Sequence, residues 1–289
     1  MRILITGCNG QLGTELRKIS VARSEHQWFS TDIDELNLCD EGAVERFFSE
    51  KKIDICINCA AYTAVDKAED EPAKAAKVNS DAVGILARTC RKNDALLIHV
   101  STDYVFDGKG TRPYREDDAI CPQSVYGRTK ADGERQIRES QCKHVIIRTS
   151  WLYSSTGNNF VKTMLRLGSE RPFVTVVADQ KGNPTWAADL AKAIDGVIMK
   201  NGKNEIHETF HFSNEGVISW CDFANAIFQL GKKNCYAKPI TTAEYPAKAS
   251  RPAYSAFDKT KIKSFLGIEI PEWKESLAKC IEELSENQQ

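Results

Sequence analysis

A tyrosine and a lysine four residues apart, Tyr126 and Lys130, open the run VYGRTKADGE, which continues as a helical pattern to Arg138. Residues at that spacing share one helix face, so a phenol and an ammonium become neighbours. An unperturbed phenol titrates near 10, and proton exchange around pH 7 asks for a shift of roughly three units, about 4 kcal/mol. A cation about 5 Å away supplies roughly 3 kcal/mol at an effective dielectric of 20. The spacing therefore predicts that Lys130 lowers the pKa of Tyr126 and makes it a proton donor and acceptor. Upstream, Leu96, Leu97, Ile98 and Val100 form an apolar run that stops at Ser101, Thr102 and Asp103. A buried parallel strand reads this way and leaves hydroxyls at its end, where Thr102 can orient a substrate carbonyl. Alone, a Tyr-x-x-x-Lys pair is equally an ordinary pair on a helix surface.

The opening MRILITGCNGQLG gives that pair something to act with. Ile3, Leu4 and Ile5 read as a strand, Gly7, Gly10 and Gly13 as a turn, and a helix follows from about Gln11 to Ser20. Glycines permit the tight bend, and the free N–H groups and positive dipole end of the helix receive a pyrophosphate. The spacing is Gly-x-x-Gly-x-x-Gly, not the more familiar Gly-x-Gly-x-x-Gly. Asp32 ends a second strand, Trp28–Asp32, roughly 20 residues beyond the turn, where a carboxylate accepts hydrogen bonds from an adenosine ribose and repels a 2′-phosphate. This favours NADH, while Arg17, Lys18 and Arg23 nearby leave NADPH open.

Elements that would position these residues alternate along the first half. Asp40 can cap a helix over 41–51, strand 53–58 follows, and one or two helices precede strand 96–100 and strand 145–149. Helical patterns between apolar runs imply a parallel sheet with right-handed crossovers. The fold class is α/β: a Rossmann-type doubly wound parallel sheet with a smaller, interleaved C-terminal α/β substrate lobe. Residues 1–150 with about 187–213 form the dinucleotide-binding domain in this reading, and about 151–186 with 214–289 the lobe. The apolar helical pattern of 187–199 and a strand at 209–213 return the chain to the sheet. Ala60, Ala61, Tyr62 and Thr63 follow the third strand, at the edge where ligands of doubly wound sheets lie.

Composition narrows the classes. With 289 residues, 42% of them hydrophobic, the chain can bury a sizeable core. A net charge of -1 gives no reason to expect nucleic acid or an anionic membrane as partner. The N-terminus lacks the pattern of a signal peptide and no segment approaches a membrane span, so a cytoplasmic protein is expected. The ten cysteines are scattered, and Cys56 and Cys59 sit in an apolar run, so they read as packing residues. His207-Glu208-Thr209-Phe210-His211 matches a zinc-protease pattern that needs a helix. Alternation of Phe210 and Phe212 predicts a strand instead, holding the imidazoles roughly 13 Å apart.

Taken together, GCNGQLG (7–13), NCAAYTAVDKAE (58–69), STDYVFDG (101–108), VYGRTK (125–130), RTSWLYSSTGNNFVKTML (148–165), VVADQKGNPT (176–185) and RPAYS (251–255) resemble the extended short-chain dehydrogenase/reductases, and among them the dTDP-4-dehydrorhamnose reductases, nearly end to end. The resemblance implies reduction of a nucleotide-sugar C4 ketone by NADPH or NADH, toward a cell-surface polysaccharide precursor. It implies Thr102, Tyr126 and Lys130 as the catalytic set. Cofactor contacts would come from Gly7, Asn9, Gly10, Gln11, Leu12, Gly13, Asp32, Ala60, Ala61 and Tyr62, joined by Tyr126 and Lys130. Substrate contacts would come from Thr102, Asp103, Tyr104, Val105, Trp151, Asn159 and Phe160, with Asp179 and Gln180 along the cleft. Arg251 has the paired donors a diphosphate wants. Some resembled enzymes form metal-bridged homodimers; Glu15 is the one acid here at a plausible position for Mg2+, and the others of such a set are not found. Three alternatives stay open. Another nucleotide-sugar 4-ketoreductase or an epimerase would share these residues, and the regulatory β subunit of methionine adenosyltransferase resembles the same enzymes. Dehydratases of the superfamily carry Asp-Glu after the Thr, whereas Asp103 is followed by Tyr104.

Overall fold

The computed structural model describes residues 1–286. Its first half runs β1 (Arg2–Thr6), α1 (Gln11–Ala22), β2 (Gln27–Thr31), α2 (Glu41–Lys51), β3 (Ile55–Asn58), α3 (Val65–Asp70), α4 (Pro72–Ala76), α5 (Ala82–Lys92), β4 (Leu96–Thr102), α6 (Val125–Ser140) and β5 (His144–Thr149). The remainder comprises β6 (Leu152–Tyr153), α7 (Phe160–Glu170), β7 (Phe173–Val177), β8 (Lys181–Gly182), β9 (Thr185–Trp186), α8 (Ala187–Asn201), β10 (His207–His211), β11 (Ile218–Ser219), α9 (Trp220–Leu230), β12 (Tyr236–Ile240), α10 (Thr260–Leu266) and α11 (Trp273–Glu286).

Six strands form one parallel sheet in the order β2-β1-β3-β4-β5-β10. Its middle strands are apolar nearly throughout because both faces are covered. Leu12, Leu16, Leu190, Ile194 and Val197 of α1 and α8 pack on one face, and Val44, Phe48, Val83, Leu86 and Ile137 of α2, α5 and α6 on the other. This is the Rossmann-type doubly wound sheet that the alternating pattern predicts. Strand order reverses between β1 and β3, which opens a crevice at the carboxyl ends of the strands.

A second apolar cluster joins β6, α7, α9 and α11 through Tyr153, Val161, Phe223, Ile227, Phe228, Leu277 and Ile281. Beside it, β7 and β12 form a short parallel pair. The strand expected over 209–213 begins two residues earlier, as β10. In it His211 is buried and His207 meets the His144 ring edge-on at 5.1 Å, so the zinc-protease geometry does not form. All ten cysteines are free. Among the described residues, no helix is long and apolar enough to cross a membrane.

Candidate active site

Between α4 and α5 the helical run widens into a π turn, Lys77–Asp81. Such turns redirect one side chain out of register. Here Asn79, fully buried, accepts from Tyr62 N at 2.8 Å, donates to Tyr62 O at 3.1 Å and to Thr129 Oγ1 at 3.2 Å. The segment after β3 is thereby tied to the α6 helix.

Helix α6 is itself fixed from both ends. Ser124 caps it, accepting from Gly127 N at 3.1 Å. Further along, Glu134 is buried against the sheet, where Arg148 of β5 grips it through two bonds of 2.9 and 2.8 Å and Ser101 donates to it at 2.6 Å. Burial alone would push the Glu134 carboxyl up, but Arg148 and Ser101 hold it down at about 2. A bidentate buried pair of this kind sets orientation as well as energy. It presents Tyr126 and Lys130 at the strand ends.

The proton chemistry differs from the one the spacing predicts. Lys130 Nζ turns inward, 2.7 Å from the Val100 carbonyl and 3.1 Å from His99 Nε2. Burial holds its pKa down at about 8. Burial pushes the Tyr126 phenol up to about 12, against a downward pull from the Thr102 hydroxyl. The expectation that Lys130 lowers Tyr126 is therefore corrected: burial and the Asp103 charge raise the phenol, Thr102 alone pulls it down, and the Lys130 amine is engaged elsewhere. Thr102 Oγ1 donates to Asp103 Oδ1 at 3.0 Å, so orienting a carbonyl requires rotation of that hydroxyl. Asp103 is buried, which raises its carboxyl to about 6. The Tyr104 ring stands edge-on to Tyr126 at 5.4 Å.

At the other end of the crevice, Gly7 takes φ +64°, and a Cβ there would lie 2.7 Å from Ala60 N. The bend and the close approach to the segment after β3 both require glycine. Gly10 caps α1 without a side chain, leaving the first-turn N–H groups of the helix free of a side-chain acceptor. One cleft of about 810 Å³ runs from these glycines, Gln11 and Leu12, past Asp32, Ala60, Ala61 and Tyr62, to Thr102, Asp103, Tyr104, Tyr126, Lys130 and Trp151. Asp32 Oδ2 accepts from Asn9 N at 3.0 Å, so the backbone of the glycine turn braces the carboxylate. A bare helix N-terminus, an acid at the next strand end and a long cleft between them fit a dinucleotide.

Other expected residues lie elsewhere. Val105 is fully buried against Phe106, Tyr114 and Phe257, which corrects its place as a substrate contact. Asn159 caps α7 and donates to Gln11 Oε1 at 3.0 Å, bracing the glycine turn from behind, while Phe160 packs on Trp220 and Phe223. Asp179 and Gln180 bond Thr242. Arg251 forms a two-bond pair with Asp66 at 2.7 and 3.1 Å. Glu15 is buried on α1, accepting from Ser154 at 2.9 Å and paired with Lys18 at 3.0 Å. Sequence reasoning missed the cleft-lining Leu36, Asn37, Leu38 and Cys39 after β2, and Gly157 and Asn158. A loop directly following the acid at the end of β2 was the available signal for the first four.

A model of the RmlD substrate binding domain family matches residues 1–286. The chain belongs to this family. An RmlD-family relative, the dTDP-4-dehydrorhamnose reductase of Aggregatibacter actinomycetemcomitans, is 42% identical over 284 residues, covering 96% of this chain and 97% of the relative. The crystal structure of a dTDP-4-dehydrorhamnose reductase from Clostridium acetobutylicum superposes with a TM-score of 0.94 at 42% identity, covering 99% of this chain and 100% of that one. A dTDP-4-dehydrorhamnose reductase from Bacillus anthracis, solved in complex with NADP, gives a TM-score of 0.93 at 38% identity over 98% of this chain and 99% of that one. The cleft described above therefore belongs to an RmlD-family chain.

Proposed function

We propose that this protein reduces the C4 ketone of dTDP-4-dehydro-L-rhamnose to dTDP-L-rhamnose in the cytoplasm, using NADH or NADPH. The observation that carries the reading is the single cleft joining the bare N-terminus of α1 to Tyr126 and Thr102, in a chain whose reductase relatives match it over nearly their whole length.

A bound nicotinamide supplies the hydride. The α1 N–H groups bind the dinucleotide's diphosphate, and Asp32 accepts from the adenosine ribose. Its charge, with Asp34 and Glu35 on the same loop, favours NADH over NADPH. Tyr126 gives its phenolic proton to the C4 oxygen while Thr102 orients the carbonyl. A phenol raised to about 12 is fully loaded with its proton at neutral pH, the form that reduction consumes. Residues 1–150 with about 187–213 carry the cofactor in this reading, and about 151–186 with 214–289 the nucleotide sugar, with Trp151 at the seam.

The test supplies dTDP-, UDP- and GDP-linked 4-ketosugars side by side, each with NADH and with NADPH, and follows cofactor absorbance. Turnover of the dTDP sugar above the others is expected, faster with NADH. Tight cofactor binding with no oxidation by any ketosugar would contradict the reading.

A further inference from the structure

Beneath the Tyr126–Lys130 face, a chain of buried polar groups permits its hydrogens to be counted. Ala60 N donates to Asn58 Oδ1 at 3.2 Å, and Thr6 Oγ1 donates to the same oxygen at 2.7 Å. A backbone N–H can only donate, so the Asn58 oxygen must face it. The amide nitrogen then points the other way, to His99 Nδ1 at 3.0 Å. Reversing the amide would oppose N–H to N–H in a dry site, which buried groups avoid. His99 Nδ1 is therefore an acceptor.

A neutral imidazole carries one hydrogen, and with Nδ1 accepting it resides on Nε2. Burial holds His99 well below the usual histidine range, so the ring is neutral. Nε2 lies 3.1 Å from Lys130 Nζ. An ammonium has three donors and no lone pair, whereas an amine can accept.

We propose that Asn58 and His99 are positioning residues that lock the His99 ring in its Nε2–H form and thereby select the uncharged amine of Lys130, so that protonating Lys130 must open the His99–Lys130 contact. The amine gives one hydrogen to the Val100 carbonyl at 2.7 Å, its lone pair accepts from His99, and one hydrogen remains for the cleft. Burial favours the same form, while Glu134 of α6, gripped by Arg148 of β5, and Cys59 beyond β3 act the other way on Lys130. The consequence for the reaction rests on the reductase reading; the tautomer and the amine do not.

The experiment uses the full-length, cofactor-free protein with 15N-labelled histidine and lysine side chains. NMR starts at about pH 9 and titrates downward through the lysine transition. Signals are assigned by their loss in His99→Gln and Lys130→Arg. We expect the His99 hydrogen on Nε2 with a bare Nδ1, and a His99 ring signal that shifts with the same midpoint as Lys130 Nζ. A hydrogen on Nδ1 overturns the proposal. Asn58→Asp replaces the donor facing His99 with an acceptor, so it is expected to move the hydrogen to Nδ1 and raise the Lys130 midpoint by about one pH unit or more. A raised midpoint with the Nε2–H form retained is a charge effect alone and overturns the selection. Should Asn58→Asp not fold, the wild-type tautomer decides. No turnover is read, so failure of the reductase function leaves this result standing.

Discussion

At neutral pH the Tyr126 phenol holds its proton, and removing that hydroxyl removes the acid without disturbing the cleft's glycine end. Tyr126→Phe is expected to lower kcat by on the order of 10² to 10⁴ with cofactor affinity unchanged, measured by NADH oxidation and by fluorescence titration of bound cofactor. Equal losses in both would make Tyr126 a binding group instead. Glu134 offers a different residue-scale test. Its carboxyl, about 2 in the folded protein, lies below the unfolded value of about 4.3, so its stabilisation is present above the unfolded value and is lost as pH falls toward 2. Thermal unfolding followed from pH 5 to pH 2 should show this loss in wild type and a flatter profile in Glu134→Gln. Glu134→Ala leaves Arg148 buried without its partner and is expected to cost about 3–5 kcal/mol in urea denaturation. Tyr126, Lys130 and Thr102 were legible in the sequence because spacing and strand ends report on faces. The direction of Lys130 was not, since it depends on His99 and Asn58, which reach it only through β3 and β4 pairing.

Two elements carry the cleft: the strand–turn–helix at the N-terminus and the clamped α6. A Cβ at Gly13 would run into the Gly7 carbonyl oxygen, and relief requires the turn to move. Gly13→Ala is expected to destabilise the fold by about 1–3 kcal/mol and to weaken cofactor binding together with it, measured by thermal unfolding and by titration. Unchanged cofactor affinity would separate the turn from the binding site. The Asp40 cap made α2 readable to the residue, and buried strands were readable to within a few. The π turn at Lys77–Asp81 was not legible: it looks like continuous helix locally, and the partners of Asn79, Tyr62 and Thr129, are far away in the chain. Likewise β7 gains its strand character from β12, which arrives over fifty residues later.

Across the whole molecule, the second apolar cluster leans on the sheet through the Trp151–Trp220 stack, 3.7 Å between ring centres, and through loop 246–252. That loop is strapped to α3 by Arg251–Asp66 and by Lys248–Asp70 at 2.6 Å. Arg251 bonds Asp66 through one N–H of Nη1 and one of Nη2, and a guanidinium has five donors, so others remain for a diphosphate. Arg251→Ala is accordingly expected to raise KM for the nucleotide sugar on the order of tenfold, with cofactor affinity unchanged, in steady-state assays. No change in KM would make Arg251 a strap alone. Residues at the lobe seam were the least legible in the sequence, because Asn159 and Phe160 serve packing and capping with types that equally suit ligand contact.

The central claim is that hydride donor and Tyr126 meet at one carbonyl of a nucleotide sugar, the hydride at carbon and the proton at oxygen. Its most direct test supplies NADH or NADPH deuterated at the transferred position and locates the label in the sugar by NMR. One deuterium at C4 of the dTDP sugar is predicted with wild type, and none on the same timescale with Tyr126→Phe. Wild-type protein that binds the cofactor but transfers deuterium to no dTDP-, UDP- or GDP-linked 4-ketosugar would contradict the account.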